Sequence, residues 1–141
     1  MRSGFSLPEL MLVFALLAIL VGIAVPPLSS ALDRVEVAAA ANHIVAAHSR
    51  ARLLAITRSQ VVVLAVDSLA LTIRRRDDSA PLWSEHGPAQ SGVSLRGSGR
   101  TFTFSPEGFS LGLSNATLRV SRGRATRAVV VSRLGRVRVV H

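Results

Sequence analysis

Cysteine, tyrosine and lysine are absent from this chain of 141 residues, and aromatic residues make up only 4% of it. The absence of cysteine excludes disulfide bonds, thiolate metal sites and cysteine nucleophiles. All 17 basic residues are therefore arginines, and with 8 acidic residues they give a net charge of +9. From Arg96 to the C-terminus the chain carries nine arginines and one acidic residue, Glu107. This imbalance predicts an anionic partner, which is a nucleic acid, an acidic protein or a membrane surface.

A long uncharged segment near the N-terminus accounts for the high mean hydropathy of +0.42. Residues 10–32 carry no charged side chain, and residues 10–25 form an apolar block. As a helix, residues 10–32 would span roughly 35 Å, which is enough to cross a bilayer. The basic leader, residues 1–4, is very short and no small-x-small site ends the segment, unlike an ordinary secretory signal. With Arg2 in the cytoplasm, the rest of the chain is expected on the outer side of the membrane.

Glu9 lies at the edge of the uncharged segment. A carboxylate at membrane depth is unfavourable and usually has a specific partner. A solvated carboxylate at the membrane interface is the other interpretation, and the residues alone leave both open. Pro8 fits the first turn of a helix, where the missing N–H has no intrahelical partner. Pro26 and Pro27 predict a kink or an interruption at the far end of the membrane helix.

Residues 4–10, followed by the apolar block, resemble the prepilin N-terminus of type IV pilins and type II secretion pseudopilins. The resemblance implies that a prepilin peptidase cleaves between Gly4 and Phe5 and that Phe5 is then N-methylated. It also implies a role for Glu9 in filament assembly. There Glu9 would pair with the N-terminal ammonium group of a neighbouring subunit, which neutralises a buried carboxylate. Pro8 stands where isoleucine or valine is commoner in that family.

The residues after the apolar block predict a helix and then a series of strands. Residues 28–57 continue the helix, because apolar side chains recur there at steps of three and four: Val37, Ala41, Ile44, Ala47, Ala51 and Leu54. His43 and His48 have a poor spacing for a helical metal site and are interpreted as ordinary polar residues, so no metal or cofactor is expected. Strands are predicted at residues 60–66, 69–73, 101–105, 116–121, 127–132 and 136–140. Residues 74–78 are predicted to form a charged, self-compensating turn, and residues 122–124 and 134–135 two further turns.

Two short motifs in the second half resemble the GspH/FimT group of pseudopilins. They are the Phe-x-Pro-x-Gly segment at residues 104–108 and the Gly-Arg-x-Arg segment within residues 132–138. The implied fold is α+β and pilin-like, with a long N-terminal transmembrane helix packed on an antiparallel β-sheet. The implied organisation is a leader at residues 1–4, a transmembrane and assembly helix at 5–28, and a periplasmic domain at 29–141.

The same resemblance implies a minor subunit of a type II secretion system or a type IV pilus. Such a subunit is anchored in the bacterial inner membrane, with a short cytoplasmic N-terminus, and is extracted into a filament with other pilins. Residues 108–112 match the Gly-x-Ser-x-Gly expression, but that motif requires a strand before it and a helix after it. The residues that follow are polar and strand-like, so we expect no enzymatic activity.

The C-terminal arginines are the remaining functional signal. In a strand, Arg136 and Arg138 share a face, and Arg133 joins them across the turn, while Arg122 and Arg124 add charge at the preceding turn. Guanidinium groups in this arrangement suit phosphate contacts. A charged edge strand that prevents edge-to-edge pairing is the other interpretation, and the residues alone leave both open. In FimT-like members of the group the Gly-Arg-x-Arg segment is associated with DNA binding in natural transformation. The resemblance therefore implies an alternative role, in which these arginines bind double-stranded DNA without sequence preference.

Overall fold

A computed structural model describes residues 6–112 and 115–140 of the chain, and residues 24–27 by their backbone alone. One long helix, α1 (Leu7–Thr57), precedes the strands. The strands of the described part are β1 (Val62–Val66), β2 (Ala70–Arg75), β3 (Pro81–His86), β4 (Ser94–Arg96), β5 (Arg100–Phe104), β6 (Ser110–Leu111), β7 (Ala116–Arg122), β8 (Ala125–Val131) and β9 (Val137–Val140). A 3₁₀ turn, Pro88–Ser91, separates β3 from β4.

The first turn of α1 is capped by its own residues. The Ser6 carbonyl accepts the amides of Glu9 and Leu10 at 3.0 and 3.2 Å. In return, Glu9 Oε2 accepts the Ser6 amide at 3.4 Å, which is the reciprocal contact of a capping box. Pro8 lies inside this first turn, as predicted, where its missing N–H leaves no bond unmade.

Of the two outcomes predicted at Pro26 and Pro27, the interruption of the helix is wrong, and the kink stays a prediction. The backbone is helical from Leu7 to Thr57, through both prolines. Each proline removes only one N–H from the helical ladder, and the turns on either side keep their own hydrogen bonds. Transmembrane helices tolerate proline because neighbouring groups satisfy the backbone carbonyls that it leaves without a donor. The predicted end near Thr57 is confirmed, and the next turn closes through Ser59, whose φ is 48°.

Contacts divide the chain after Leu32 into two units. In the first unit, every described side chain from Ser6 to Ile23 is exposed, although most are large and apolar. A window of α1 has a mean hydropathy of 2.6 with none of it buried, so the helix is long and apolar enough to cross a membrane. An apolar surface of this extent requires lipid or other helices around it.

The second unit, Asp33–His141, contains two antiparallel sheets and a single hydrophobic core. The strand orders are β3-β2-β1-β5-β6 and β4-β7-β8-β9. The apolar stripe of α1 predicted from the sequence lies in the core, with Ala41 and Ile44 at its centre. Leu64 and Phe104 reach the core from the first sheet, and Leu118 reaches it from the second.

Residues 80–99 carry no strand prediction, yet they supply one strand to each sheet. β3 pairs with β2 at the edge of the first sheet, with a register shift between Ile73 and Arg74. After the 3₁₀ turn, β4 pairs with β7 at the edge of the second sheet. Gly87 permits this crossing, because a Cβ there would collide with the backbone of Ser68.

Candidate functional site

Two five-residue turns with the same hydrogen bonds lie at one end of the second unit. We call them the Ser105 turn (residues 105–109) and the Ser132 turn (residues 132–136). In each, the serine amide donates to the carbonyl of the fifth residue at 2.8 Å, and the serine Oγ accepts the amide of that residue at 3.2 or 3.1 Å. The glycine amide closes each turn by donating to the serine carbonyl, at 2.8 Å for Gly108 and 3.0 Å for Gly135.

Glycine is required at the fourth position of both turns. Gly108 and Gly135 have φ values of 83° and 72°, in the left-handed region where a Cβ is unfavourable. A Cβ on Gly108 would lie 2.7 Å from Ile56 Cδ1, and one on Gly135 would lie 3.3 Å from Ser110 Cβ. The Ser105 turn therefore lies against the end of α1, and Ser110, the residue after it, lies beside the Ser132 turn.

The hairpin of β8 and β9 presents its arginines as the alternation predicts. Arg136 and Arg138 are exposed, whereas Val137 and Val139 are half-buried and pack against the core. Neither guanidinium makes an ion pair or a side-chain hydrogen bond within the described residues. Arg133 is exposed in the Ser132 turn itself. The backbone hydrogen bonds of that turn fix the position of the Arg136 backbone, from which its side chain extends.

Arg122 and Arg124 do not join this group. They flank the β7–β8 turn, which lies at the other end of β8, roughly 20 Å from the Ser132 turn. Arg122 has two partners within the unit: its Nε lies 3.1 Å from the Asp33 carboxylate, and its NH1 donates to the Ser91 carbonyl at 2.7 Å. These contacts tie β7 to α1 and to the 3₁₀ turn.

Two further arginines share a sheet face with Arg138, which the sequence pattern does not predict. The registers of β7, β8 and β9 place Arg138 and Arg119 on the outer face of the second sheet. Arg96 lies directly opposite Arg119 across β4 and β7. All three are exposed. Like charges directly opposite each other destabilise a sheet. Placing these arginines together requires the strand register, which is set by pairing between distant segments and cannot be read from the pattern of one strand.

His48 corrects a sequence expectation. It is not an ordinary polar residue, because it lies on the buried stripe of α1 with only 3% of its surface exposed. Its ring meets Phe102 and Phe104 edge to face, at centroid distances of 5.8 and 4.9 Å. Its Nε2 is buried without a hydrogen-bond partner among the described residues. His43 is exposed, as expected, with Nδ1 3.8 Å from Glu85.

We expect His48 to make the stability of the fold depend on pH. Burial, and secondly the charge of Arg52, lower the pKa of His48 from 6.5 to about 4. Between these values the unfolded chain binds more protons than the folded one, so stability falls as the pH drops through this window. The expected loss in free energy of unfolding is about 3 kcal/mol.

Urea denaturation between pH 7 and pH 4, followed by Trp83 fluorescence, measures this loss. His48→Gln should flatten the pH dependence in the window, whereas the matched exposed change His43→Gln should leave it intact. Asp78 and Glu107 have lowered pKa values, and their effects begin near their ordinary values of 3.8 and 4.5, so they overlap at most the acidic end of the window. An equal slope in the wild type and in His48→Gln would contradict the prediction.

The other sites predicted from the sequence are the prepilin motif and the Gly-x-Ser-x-Gly match. Gly4 and Phe5 lie outside the described residues, and Glu9 lies in the exposed first turn of α1. Ser110 of the Gly-x-Ser-x-Gly match lies in β6, which pairs with β5, and residues 115–140 contain no helix that could follow it. Within the described residues, no group of three or more histidines and acidic residues is arranged to hold a metal.

Comparison with known families finds two matches along the chain. Residues 40–135 match the family described as type II transport protein GspH. Residues 1–25 match the prokaryotic N-terminal methylation motif. The pilin-like protein PilA1 of Thermus thermophilus is 32% identical to this chain over 161 aligned positions, and the alignment covers 98% of both proteins.

The fold resembles that of a type IV minor pilin, FimU of Pseudomonas aeruginosa. One crystal structure of FimU gives a TM-score of 0.62 at 18% identity, covering 77% of this chain and 90% of that one. A second crystal form gives 0.56 at 17% identity, covering 73% and 91%. The long apolar helix on antiparallel sheets is therefore the pilin fold. Together with the family matches, it shows that the chain belongs to the GspH family of pilin-like proteins, the minor pilins and pseudopilins of type IV pilus and type II secretion systems.

Proposed function

We propose that this chain is a non-enzymatic minor subunit that assembles through α1 into a periplasm-spanning filament. In this proposal a prepilin peptidase removes residues 1–4, Phe5 is N-methylated, and residues 5–28 anchor the subunit in the inner membrane. The domain at residues 29–141 then lies in the periplasm. Assembly extracts the subunit from the membrane and places it among other pilins of a type IV pilus or a type II secretion system.

The exposed apolar surface of α1 is the observation that carries this proposal. Large side chains such as Met11, Phe14 and Leu20 are each at least 60% exposed. A bilayer covers such a surface before assembly, and neighbouring helices cover it afterwards, so one helix serves both states. Glu9 is the acidic residue at the start of this surface, where an ammonium group of a neighbouring subunit would neutralise it.

Fractionation of cells tests the assembly step. Filaments sheared from cells that produce the machine should contain the processed chain, while the precursor remains in the inner membrane. A processed chain found only in the membrane fraction, in cells whose filaments are otherwise complete, would contradict the proposal.

The arginines of the hairpin favour a second candidate function, which is DNA binding for natural transformation. Arg136 and Arg138 are exposed and lack intramolecular partners among the described residues. Arg119 and Arg96 extend the same positive face across the second sheet. Arginine side chains on a flat sheet face suit phosphates better than base edges, so contacts of this kind carry no sequence information.

We expect the full chain in detergent to bind double-stranded DNA with an affinity in the micromolar range, about that of other non-specific binders. The double substitution Arg136→Gln and Arg138→Gln should make the slope of log K against log salt shallower by about two units. The fold should survive, because both side chains are exposed. Fluorescence anisotropy with a labelled duplex at several salt concentrations measures the slope.

Arg74→Gln with Arg75→Gln is the matched control, since it removes the same charge elsewhere. Arg75 is already paired with Asp78 at 2.7 Å, although the turn predicted at residues 74–78 is shorter, because Arg74 and Arg75 end β2. Equal weakening by both double substitutions would mean that the chain acts as a general polycation, without a site at the hairpin. Absence of binding at low salt would leave filament assembly as the sole function proposed.

A further inference from the structure

A pocket of about 470 Å³ lies between the last turns of α1 and the Ser132 turn. Leu53, Ile56 and Val137 give it an apolar wall. His48, Arg52 and Arg136 give it polar groups, from the helix on one side and the hairpin on the other. This volume and mixed lining fall in the range of sites that bind small ligands or single side chains of a partner.

His48 lines this pocket and carries a buried atom with an unmade hydrogen bond. Its Nε2 has no partner among the described residues, although only 3% of the residue's surface is exposed. Phe102 and Phe104 pack against the ring and offer no conventional acceptor. A buried polar atom without a partner is unfavourable.

The charge of the pocket is positive, and its described lining residues include no acidic side chain. Arg52 and Arg136 are exposed, and neither side chain makes an ion pair or hydrogen bond within the described residues. Of the charged groups, Arg52 from the same helix acts on His48, and Arg136 from the hairpin lines the same pocket. The charge of Arg52 contributes to the lowered pKa of His48, so His48 is neutral at pH 7.

We propose that this pocket binds an acidic side chain of a partner protein, with the carboxylate between Arg52 and Arg136 and apolar neighbours of that side chain against Leu53 and Ile56. The His48 ring lies beside this site, so a bound carboxylate would favour its protonated form. The partner is an acidic peptide segment with flanking apolar residues. This binding does not depend on whether the chain enters a filament or binds DNA.

The surroundings of the pocket favour a peptide over a nucleic acid. Leu134, which precedes Gly135 in the hairpin, is 82% exposed. Phe109, which follows Gly108 beside Ile56, is 67% exposed. Exposed aromatic and aliphatic side chains beside arginines are typical of protein interfaces. The phosphate backbone of a duplex offers no apolar group to such a wall.

The test uses the full chain in lipid nanodiscs, with its histidine rings labelled for NMR. The His48 resonance is identified by its loss in His48→Gln. The probes are the capped tripeptide acetyl-Leu-Glu-Phe-amide and its isosteric control, acetyl-Leu-Gln-Phe-amide. The Glu peptide should shift the His48 resonance and raise the pKa of His48 by about one unit, because a nearby carboxylate favours the protonated ring. The Gln peptide should bind at least about fivefold more weakly.

Substitutions locate the binding to the pocket. Arg52→Gln and Arg136→Gln should each weaken the Glu peptide about fivefold. Arg138→Gln is the matched control, because it removes the same charge from the same hairpin but lies outside the pocket lining, and it should leave peptide affinity unchanged. Equal binding of the two peptides, no shift with either, or equal weakening by Arg138→Gln and Arg52→Gln would overturn the proposal. A short DNA duplex that shifts the His48 resonance where the Glu peptide does not would also overturn it and assign the pocket to nucleic acid.

Discussion

Replacing Gly4 with leucine is expected to leave the whole population of the chain as uncleaved precursor in the inner membrane, with none in filaments. A peptidase that cleaves after Gly4 must accommodate that residue beside the scissile bond, and a branched side chain fills this space. The new ammonium group at Phe5 is then never formed, so Glu9 of a neighbouring subunit lacks its proposed partner. Mass spectrometry of the intact protein measures the outcome. The wild type should lack residues 1–4 and carry one methyl group on Phe5.

Ser3→Leu is the matched control for this experiment. It adds the same side chain one residue earlier, away from the scissile bond, and the protein should be processed normally. A wild-type protein that retains Met1, or that is cut after the apolar block, would contradict the assignment of the leader. Full assembly of the Gly4→Leu precursor would instead separate processing from filament formation.

Local patterns in the sequence predicted much of the fold because they reflect local physics. The steps of three and four between Val37 and Leu54 define the face of α1 that the core covers. Alternation likewise predicted that Arg136 and Arg138 share a face, and the structure exposes both while Val137 and Val139 pack against the core. The burial of His48 was not predicted because only apolar side chains were counted along the helix. His48 nevertheless lies four residues after Ile44 on the same stripe.

Pairing between distant segments is what the sequence did not reveal. β4 and β5 are separated by three residues, yet β4 joins β7 in one sheet and β5 joins β1 in the other. Periodicity indicates which side chains share a face of one strand, but it carries no information about the neighbouring strand. The Arg96–Arg119 pair and the distance of Arg122 from the hairpin follow only from that pairing.

The pocket could not be predicted from the sequence either, because it forms between segments that are distant along the chain. Its turns nevertheless share a sequence pattern. Residues 105–109 and 132–136 both read Ser-x-x-Gly-x, and both adopt the same hydrogen-bonded turn. The repeated pattern predicts two equivalent turns but not that they lie side by side. Contact between Gly135 and Ser110 places them together, and the end of α1 completes the pocket.

Substitution of Glu9 is expected to separate membrane insertion from assembly. Glu9→Ala should insert normally, because removal of a charge from the edge of an apolar segment favours the membrane. Incorporation into filaments should fall by at least about tenfold, since breaking one partner of a buried ion pair costs about 3–5 kcal/mol. Quantitative immunoblots of sheared filaments and of inner membranes from the same cells measure both quantities.

Glu9→Gln distinguishes the ion pair between subunits from the cap within one helix. In the structure Glu9 Oε2 accepts the Ser6 amide, and a glutamine oxygen at the same position preserves that capping contact. Glutamine lacks the negative charge, however, and cannot neutralise the ammonium group of a neighbour. If the charge drives assembly, Glu9→Gln should be nearly as defective as Glu9→Ala. Wild-type assembly of Glu9→Gln, with a defect confined to Glu9→Ala, would show that Glu9 acts by capping its own helix at the membrane interface.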